Sequence, residues 1–169
     1  MWLHLWLLSG SLLLPEVRQA MAEASTAFVN MQELMFAACD RIAELMGSEW
    51  ALVSCGCAAA LLSITAACIA GDDPARMCQL PDTTGLRDEI VVQRDQRDDY
   101  DAVVRTAGAK VIEISSREEL EAAIGPKTCM VLMLGDANQG GLGIGATHDA
   151  LSTEEMAEVA HRHGLPLVV

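Results

Sequence analysis

The residues whose types and spacing best suit chemistry are Val53-Ser54-Cys55-Gly56-Cys57-Ala58-Ala59-Ala60. An apolar tetrapeptide, Trp50-Ala51-Leu52-Val53, leads through small residues into an Ala-rich run that reaches Ala70. That pattern predicts a short buried strand turning tightly into a helix. The first amides of a helix have no intrahelical acceptor, and the helix dipole makes that end positive. Small side chains at Cys55, Gly56, Cys57 and Ala58 would let a phosphate or carboxylate approach those amides closely. The alternative, a tight turn packed under a sheet with no ligand, fits the same spacing. A Walker loop is excluded because no Gly-Lys-Ser/Thr follows, and the Gly-x-Gly-x-x-Gly of a dinucleotide fingerprint is missing.

Other reactive residue types are less telling. The glycines of Gly140-Gly141-Leu142-Gly143-Ile144-Gly145 fall before a loop and not between a strand and a helix, so they predict a mobile loop. His161 and His163 fall at a helix C-terminus, where a cation is favoured, and their i,i+2 spacing points them apart on a helix. His148 is expected in a solvated loop. The acid pairs Glu118-Glu119 and Glu154-Glu155 read as first-turn helix residues and not as a catalytic dyad. Six cysteines (Cys39, Cys55, Cys57, Cys68, Cys78, Cys129) match neither a zinc pattern nor a secreted disulfide scaffold. Several sit in apolar runs, which predicts reduced thiols and a cytoplasmic protein.

Apolar periodicity gives the helices and strands on which these residues lie. Pro15 suits a first helical position, with Val17, Ala20, Met21 and Ala24 at helical spacing after it. A second helix is expected from Gln32 to Met46, closed by Gly47. Strands are predicted at 50–53, 89–92, 110–114, 128–134 and 166–169. Helices are predicted from the Cys57 region to Ala70, from Tyr100 to Ala107, from Ser116 towards Gly125 and from Ser152 to Arg162. The last two open on capping boxes, Ser116 with Glu119 and Ser152 with Glu155. Residues 71–88, rich in Pro, Gly and Asp, read as a loop. Alternating short strands and amphipathic helices predict an α/β fold with a mainly parallel sheet flanked by helices. The expected organisation is an N-terminal segment with two helices over 1–47 and a partial α/β domain over 48–169.

Composition narrows the partners. The 169 residues are 51% hydrophobic and 4% aromatic, enough for a core built from Ala, Val, Leu, Ile and Met. A net charge of −13 with no basic patch argues against nucleic acid. The opening MWLHLWLLSGSLLLP lacks a basic stretch and a small-residue cleavage site, and its apolar runs fall short of the ~20 residues a bilayer span needs. No membrane association is therefore expected. The chain ends on an apolar strand with nothing after it, which predicts a fold incomplete at its C-terminus.

Several stretches together resemble one family. Leu13-Leu14-Pro15-Glu16-Val17-Arg18-Gln19-Ala20-Met21, Val53 to Leu61, Leu80-Pro81-Asp82-Thr83-Thr84-Gly85, Asp99-Tyr100-Asp101, Val104 to Lys110 and Ala160-His161-Arg162-His163-Gly164-Leu165-Pro166 are similar, in order and spacing, to pyridoxal-phosphate enzymes related to bacterial selenocysteine synthase (L-seryl-tRNA(Sec) selenium transferase). The closer resemblance is to the branch with D-glucosaminate-6-phosphate ammonia-lyase-like proteins. It implies the large domain of a fold-type-I, aspartate-aminotransferase-like enzyme, with pyridoxal 5'-phosphate as cofactor. It also implies that Cys55, Gly56, Cys57 and Ala58 cradle the cofactor phosphate, and that the segment from Gln93 to Arg97 lies near its ring. Relatives often carry a stacking His where this chain has Gln96, which can hydrogen-bond but stacks poorly. Arg97 could hold a substrate carboxylate or phosphate in bidentate fashion, or could be a surface Arg paired with Asp98 or Asp99.

The resemblance further implies an aspartate just beyond Val169 and, further on, a lysine that anchors the cofactor covalently. The chain has only Lys110 and Lys127, each preceding a strand at the wrong end of the sheet. The expectation is thus a fragment of a lyase or transferase acting on a small amino acid or amino-sugar acid, inactive alone, whose parent forms a homodimer or higher homo-oligomer. A non-catalytic phosphate- or nucleotide-binding α/β module and a non-functional remnant are the alternatives.

Overall fold

A computed structural model describes residues 12–97, 101–134 and 150–169. The Gly-rich stretch from Gly135 to Gly145, His148, Asp98, Asp99 and Tyr100, and the first eleven residues of the apolar opening lie outside that set. The chain forms two compact units, Met1–Val53 and Ser54–Val169.

In the first unit, α1 spans Pro15–Ala24 with its proline in the first turn, and α2 spans Met31–Met46. Asn30 caps α2, its side-chain oxygen accepting from the amides of Gln32 at 2.9 Å and Glu33 at 3.3 Å. Gly47 ends α2 at φ 66°, in the left-handed conformation that a C-terminal glycine adopts at little cost. The strand expected at 50–53 does not form. Trp50, Leu52 and Val53 are 68%, 53% and 42% exposed and make no sheet pairing. Four apolar residues in a row favour a strand only if a neighbouring strand receives them, and here none does.

The second unit holds the sheet. Helix α3 spans Cys57–Ala70 and α4 spans Pro74–Gln79. Then come β1 (Glu89–Gln93), a 3-10 turn (Arg94–Gln96), α5 (Ala102–Thr106), β2 (Lys110–Ile114), α6 (Arg117–Ala123), β3 (Thr128–Leu132), α7 (Thr153–Arg162) and β4 (Leu167–Val168). The expected loop over 71–88 contains α4, capped by Asp73, whose carboxylate accepts from the amides of Ala75 and Arg76.

The strands run in the order β2-β1-β3-β4, and every pairing is parallel. Val91 of β1 sits opposite Ile112 on one side and Val131 on the other. Side chains alternate between the two sheet faces, and two apolar clusters form accordingly. Val91, Ile114 and Val131 join Leu120 of α6 and Met156, Val159 and Ala160 of α7 in one. Ile90 and Met130 join Ile69 of α3 and Val104 of α5 in the other. Burial on both faces is the reason these strands read as continuous apolar runs. All six cysteines carry free thiols. No helix among the described residues is long and apolar enough to cross a membrane.

Candidate functional site

The strand order creates one special place. From β1 the chain passes through α5 to β2 on one side, whereas from β3 it passes through α7 to β4 on the other. Beyond the carboxyl ends of β1 and β3 the connections part, and open parallel sheets bind their ligands at such a switch point. A cleft of about 160 Å3 opens there, lined by Cys57, Leu61, Val92, Leu132, Gln96 and Asp101 among others.

Cys57 is the first residue of α3. Before it, Gly56 holds φ 133° and ψ 172°, a region essentially reserved for glycine. The Gly56 carbonyl accepts from the Ala60 amide at 3.0 Å and from the Ser54 hydroxyl at 3.0 Å. Among the described residues, nothing accepts a hydrogen bond from the amides of Cys57, Ala58 or Ala59. Cys55, Gly56, Cys57 and Ala58 are all exposed. The predicted helix start therefore exists with its first-turn donors open, although no sheet strand leads into it.

Gln96 closes the 3-10 turn that follows β1 and is 6% exposed. Its Oε1 accepts from the backbone amide of Leu134 at 2.9 Å, and its Nε2 is buried without a partner among the described residues. Gln93, three residues earlier, has both ends of its amide engaged by Leu151: Nε2 donates to the carbonyl at 3.1 Å and Oε1 accepts from the amide at 2.7 Å. Gln96, not Gln93, is the glutamine that lines the cleft.

The guanidinium of Arg97 pairs with Asp101 and Glu113. Asp101, with a side chain 8% exposed, lines the cleft. An ion pair is one of two readings the sequence offers for Arg97, there with Asp98 or Asp99, which lie outside the described residues. Neither residue 101 as a cleft wall nor Leu134 as the orienter of Gln96 leaves a trace in local sequence. The second depends on a contact that the turn after β1 makes with the end of β3.

Both lysines lie at the other end of the sheet. Lys110 begins β2 and pairs with Asp88 at 2.8 Å, and Lys127 precedes β3. A separate cleft of about 290 Å3 contains them with Thr83, Thr84 and Asp88. His161 lies in the last turn of α7 and His163 is its C-cap, and Glu118-Glu119 and Glu154-Glu155 occupy the first turns of α6 and α7, as expected. Among the described residues no group of three His, Cys, Asp or Glu side chains could hold a metal ion.

Comparison with known proteins points the same way. The chain is homologous to D-glucosaminate-6-phosphate ammonia lyase. The enzyme of that name from Salmonella typhimurium (strain 14028s / SGSC 2262) is 30% identical over 172 residues, covering 96% of this chain and 45% of the relative. A 5'-C-glycyluridine monooxygenase-decarboxylase from a Streptomyces species is 28% identical over 173 residues, covering 96% of this chain and 42% of the relative. A solved structure of D-glucosaminate-6-phosphate ammonia-lyase superposes with a TM-score of 0.84 at 29% identity, covering 93% of this chain and 43% of that one. No family model matches. The chain thus spans less than half the length of the relatives it matches, and within that span its mainly parallel α/β fold is shared with the solved lyase structure.

Proposed function

We propose that this chain forms the phosphate cradle and part of the ring cleft of a pyridoxal-phosphate-dependent lyase or transferase acting on an amino acid or amino-sugar acid. The observation that carries the proposal is the uncapped first turn of α3 opening onto the cleft between β1 and β3. The donor set suits the cofactor. Amides at 57–59 would receive the phosphate beside Cys55, Gly56, Cys57 and Ala58. Leu61, Val92 and Leu132 offer apolar walls to a flat ring, and the buried amide of Gln96 offers it a polar contact. When bound, such a cofactor withdraws electrons from the α-carbon of an amino-acid substrate and so loosens a bond there.

The chain's own residues would bind, orient and shelter. Arg97 holds Asp101 at the cleft wall, and a direct contact between Arg97 and a substrate anion would require exchange of a carboxylate such as that of Asp101 or Glu113. Lys110 and Lys127, at the far end of the sheet, would not anchor the cofactor. In this reading the covalent anchor and the partner of the ring nitrogen come from the part of the relatives' length that this chain does not span. The same reading has the complete site form in a homo-oligomer. An amino-sugar acid is favoured as substrate by the homology to a lyase named for D-glucosaminate 6-phosphate. The selenocysteine-synthase side of the resemblance rests on the sequence motifs alone.

Equilibrium binding of pyridoxine 5'-phosphate, set against pyridoxine, tests this without needing a lysine, because neither compound carries an aldehyde. The phosphate ester is expected to bind at least about tenfold tighter, since charge-assisted amide contacts contribute on the order of 1.5–3 kcal/mol. Equal affinity, or no binding of either compound, would overturn the proposal.

A further inference from the structure

We infer that Gln96 holds the cleft's ligand by donating a hydrogen bond from Nε2 to an oxygen borne on the ligand's ring. This rests on the cofactor reading above and assigns Gln96 a role different from the stacking that the resemblance associates with its position.

The orientation of the Gln96 amide is not free. The backbone amide of Leu134 is a donor, so the group facing it must be Oε1, at 2.9 Å. A flipped side chain would set two donors against each other. With Oε1 held, Nε2 and its two hydrogens are committed to the remaining direction, where they are buried and meet no acceptor among the described residues. Buried donors in folded proteins are nearly always satisfied, because an unsatisfied one is costly. Much of the remaining cleft wall (Leu61, Val92, Leu132) is apolar and supplies no acceptor. Asp101, the carboxylate in the wall, is already bound by Arg97. A ligand oxygen is the acceptor that fits.

The chemical class follows from the three contacts taken together. An anion would sit on the first turn of α3, a flat apolar body between Leu61, Val92 and Leu132, and a hydroxyl or phenolate oxygen against Gln96. Gln96 would then be a positioning residue that fixes the tilt of the ring and favours the ionised form of its hydroxyl.

The test uses the whole chain with pyridoxine 5'-phosphate, which carries a ring hydroxyl, and inorganic phosphate, which does not. Gln96→Glu keeps an oxygen for Leu134 and replaces the donor by an acceptor. It is expected to weaken pyridoxine 5'-phosphate by about tenfold, to raise the pKa of the bound hydroxyl as read by absorbance, and to leave inorganic phosphate unaffected. In the unsubstituted chain, the side-chain NH2 resonances of Gln96 should move with pyridoxine 5'-phosphate and stay put with phosphate alone, so the result does not depend on how the variant folds. Resonances that stay fixed at saturation, or a variant with unchanged affinity and hydroxyl pKa, would overturn this inference and leave the phosphate cradle standing. Failure of the unsubstituted chain to bind either compound would overturn both.

Discussion

Gly56 and Gly108 both take positive φ, at 133° and 97°, but they are constrained by different things. A Cβ on Gly56 would meet nothing within 4 Å, so only backbone strain opposes a side chain there. A Cβ on Gly108 would lie 2.3 Å from the carbonyl oxygen of Pro81 and 2.7 Å from a methyl of Thr83. Gly56→Ala is expected to cost about 1–3 kcal/mol in urea denaturation. Gly108→Ala should cost more, because rigid backbone must move as well. The opposite ranking would contradict the packing of the 80–88 segment against Gly108. The thiols differ as sharply. Burial, with nearby Cys68 adding, pushes Cys129 up to about 12, whereas Cys55, Cys57 and Cys78 are exposed. Alkylation of the native protein at neutral pH, read by peptide mass spectrometry, should mark those three and reach Cys129 only after unfolding.

At the scale of elements, helix ends show how local chemistry sets boundaries. Ser152 Oγ accepts from the Glu155 amide at 3.2 Å, and the Glu155 carboxylate accepts from the Ser152 amide at 2.9 Å, the reciprocal pair expected from their spacing. That cap starts α7, which buries Met156, Val159 and Ala160 against the sheet. Ser152→Ala should lower stability by about 1 kcal/mol and Ser152→Asp much less, with chemical denaturation midpoints as the check. The Ser116 cap is looser: its Oγ accepts from Glu119, but the Glu119 carboxylate reaches the Ser115 amide instead. Helix α4 was legible in principle, since Asp73 followed by Pro74 is a helix-start signature. The density of Pro, Gly and Asp around it masked six helical residues. Trp50 to Val53 erred the other way, because apolar character alone cannot distinguish a strand from an unpaired segment.

Across the second unit, Asp88 ties the entrance of β1 to β2. Burial raises its carboxyl, but hydrogen bonds from Lys110 and Thr83 outweigh that and hold it below the usual carboxylate range. The hydrogen bond to Asp88 in turn raises Lys110. A lowered carboxyl contributes stability that is fully present above its unfolded value of about 3.9 and is lost as pH falls through the folded value beneath it. The raised lysine contributes fully below about 10.4 and loses its share as pH rises from there through its folded value. Urea midpoints should therefore be level between these limits so far as this pair is concerned. Asp88→Asn should lower the midpoint at pH 7, and its difference from the unsubstituted chain should close in strong acid. A difference that persists there would show that the pair is not what Asp88 contributes.

β1, β2 and β3, most of the helices and the open first turn of α3 are legible from the residues alone, because each depends on residues near one another in the chain. A stretch such as Ile90-Val91-Val92 or Cys129-Met130-Val131 carries its own burial in its side chains, and Ser152 with Glu155 carries its own cap. The place of the cleft comes from the packed fold, since a switch point is a property of strand order and arises from the opposite exits of β1 and β3. The same fold brought Cys57, Gln96 and Asp101 to one cavity and set Leu134 against Gln96 across 38 residues of chain. The difference is one of range: caps and apolar runs act within a few residues, whereas a site is assembled by contacts whose partners the local sequence does not name.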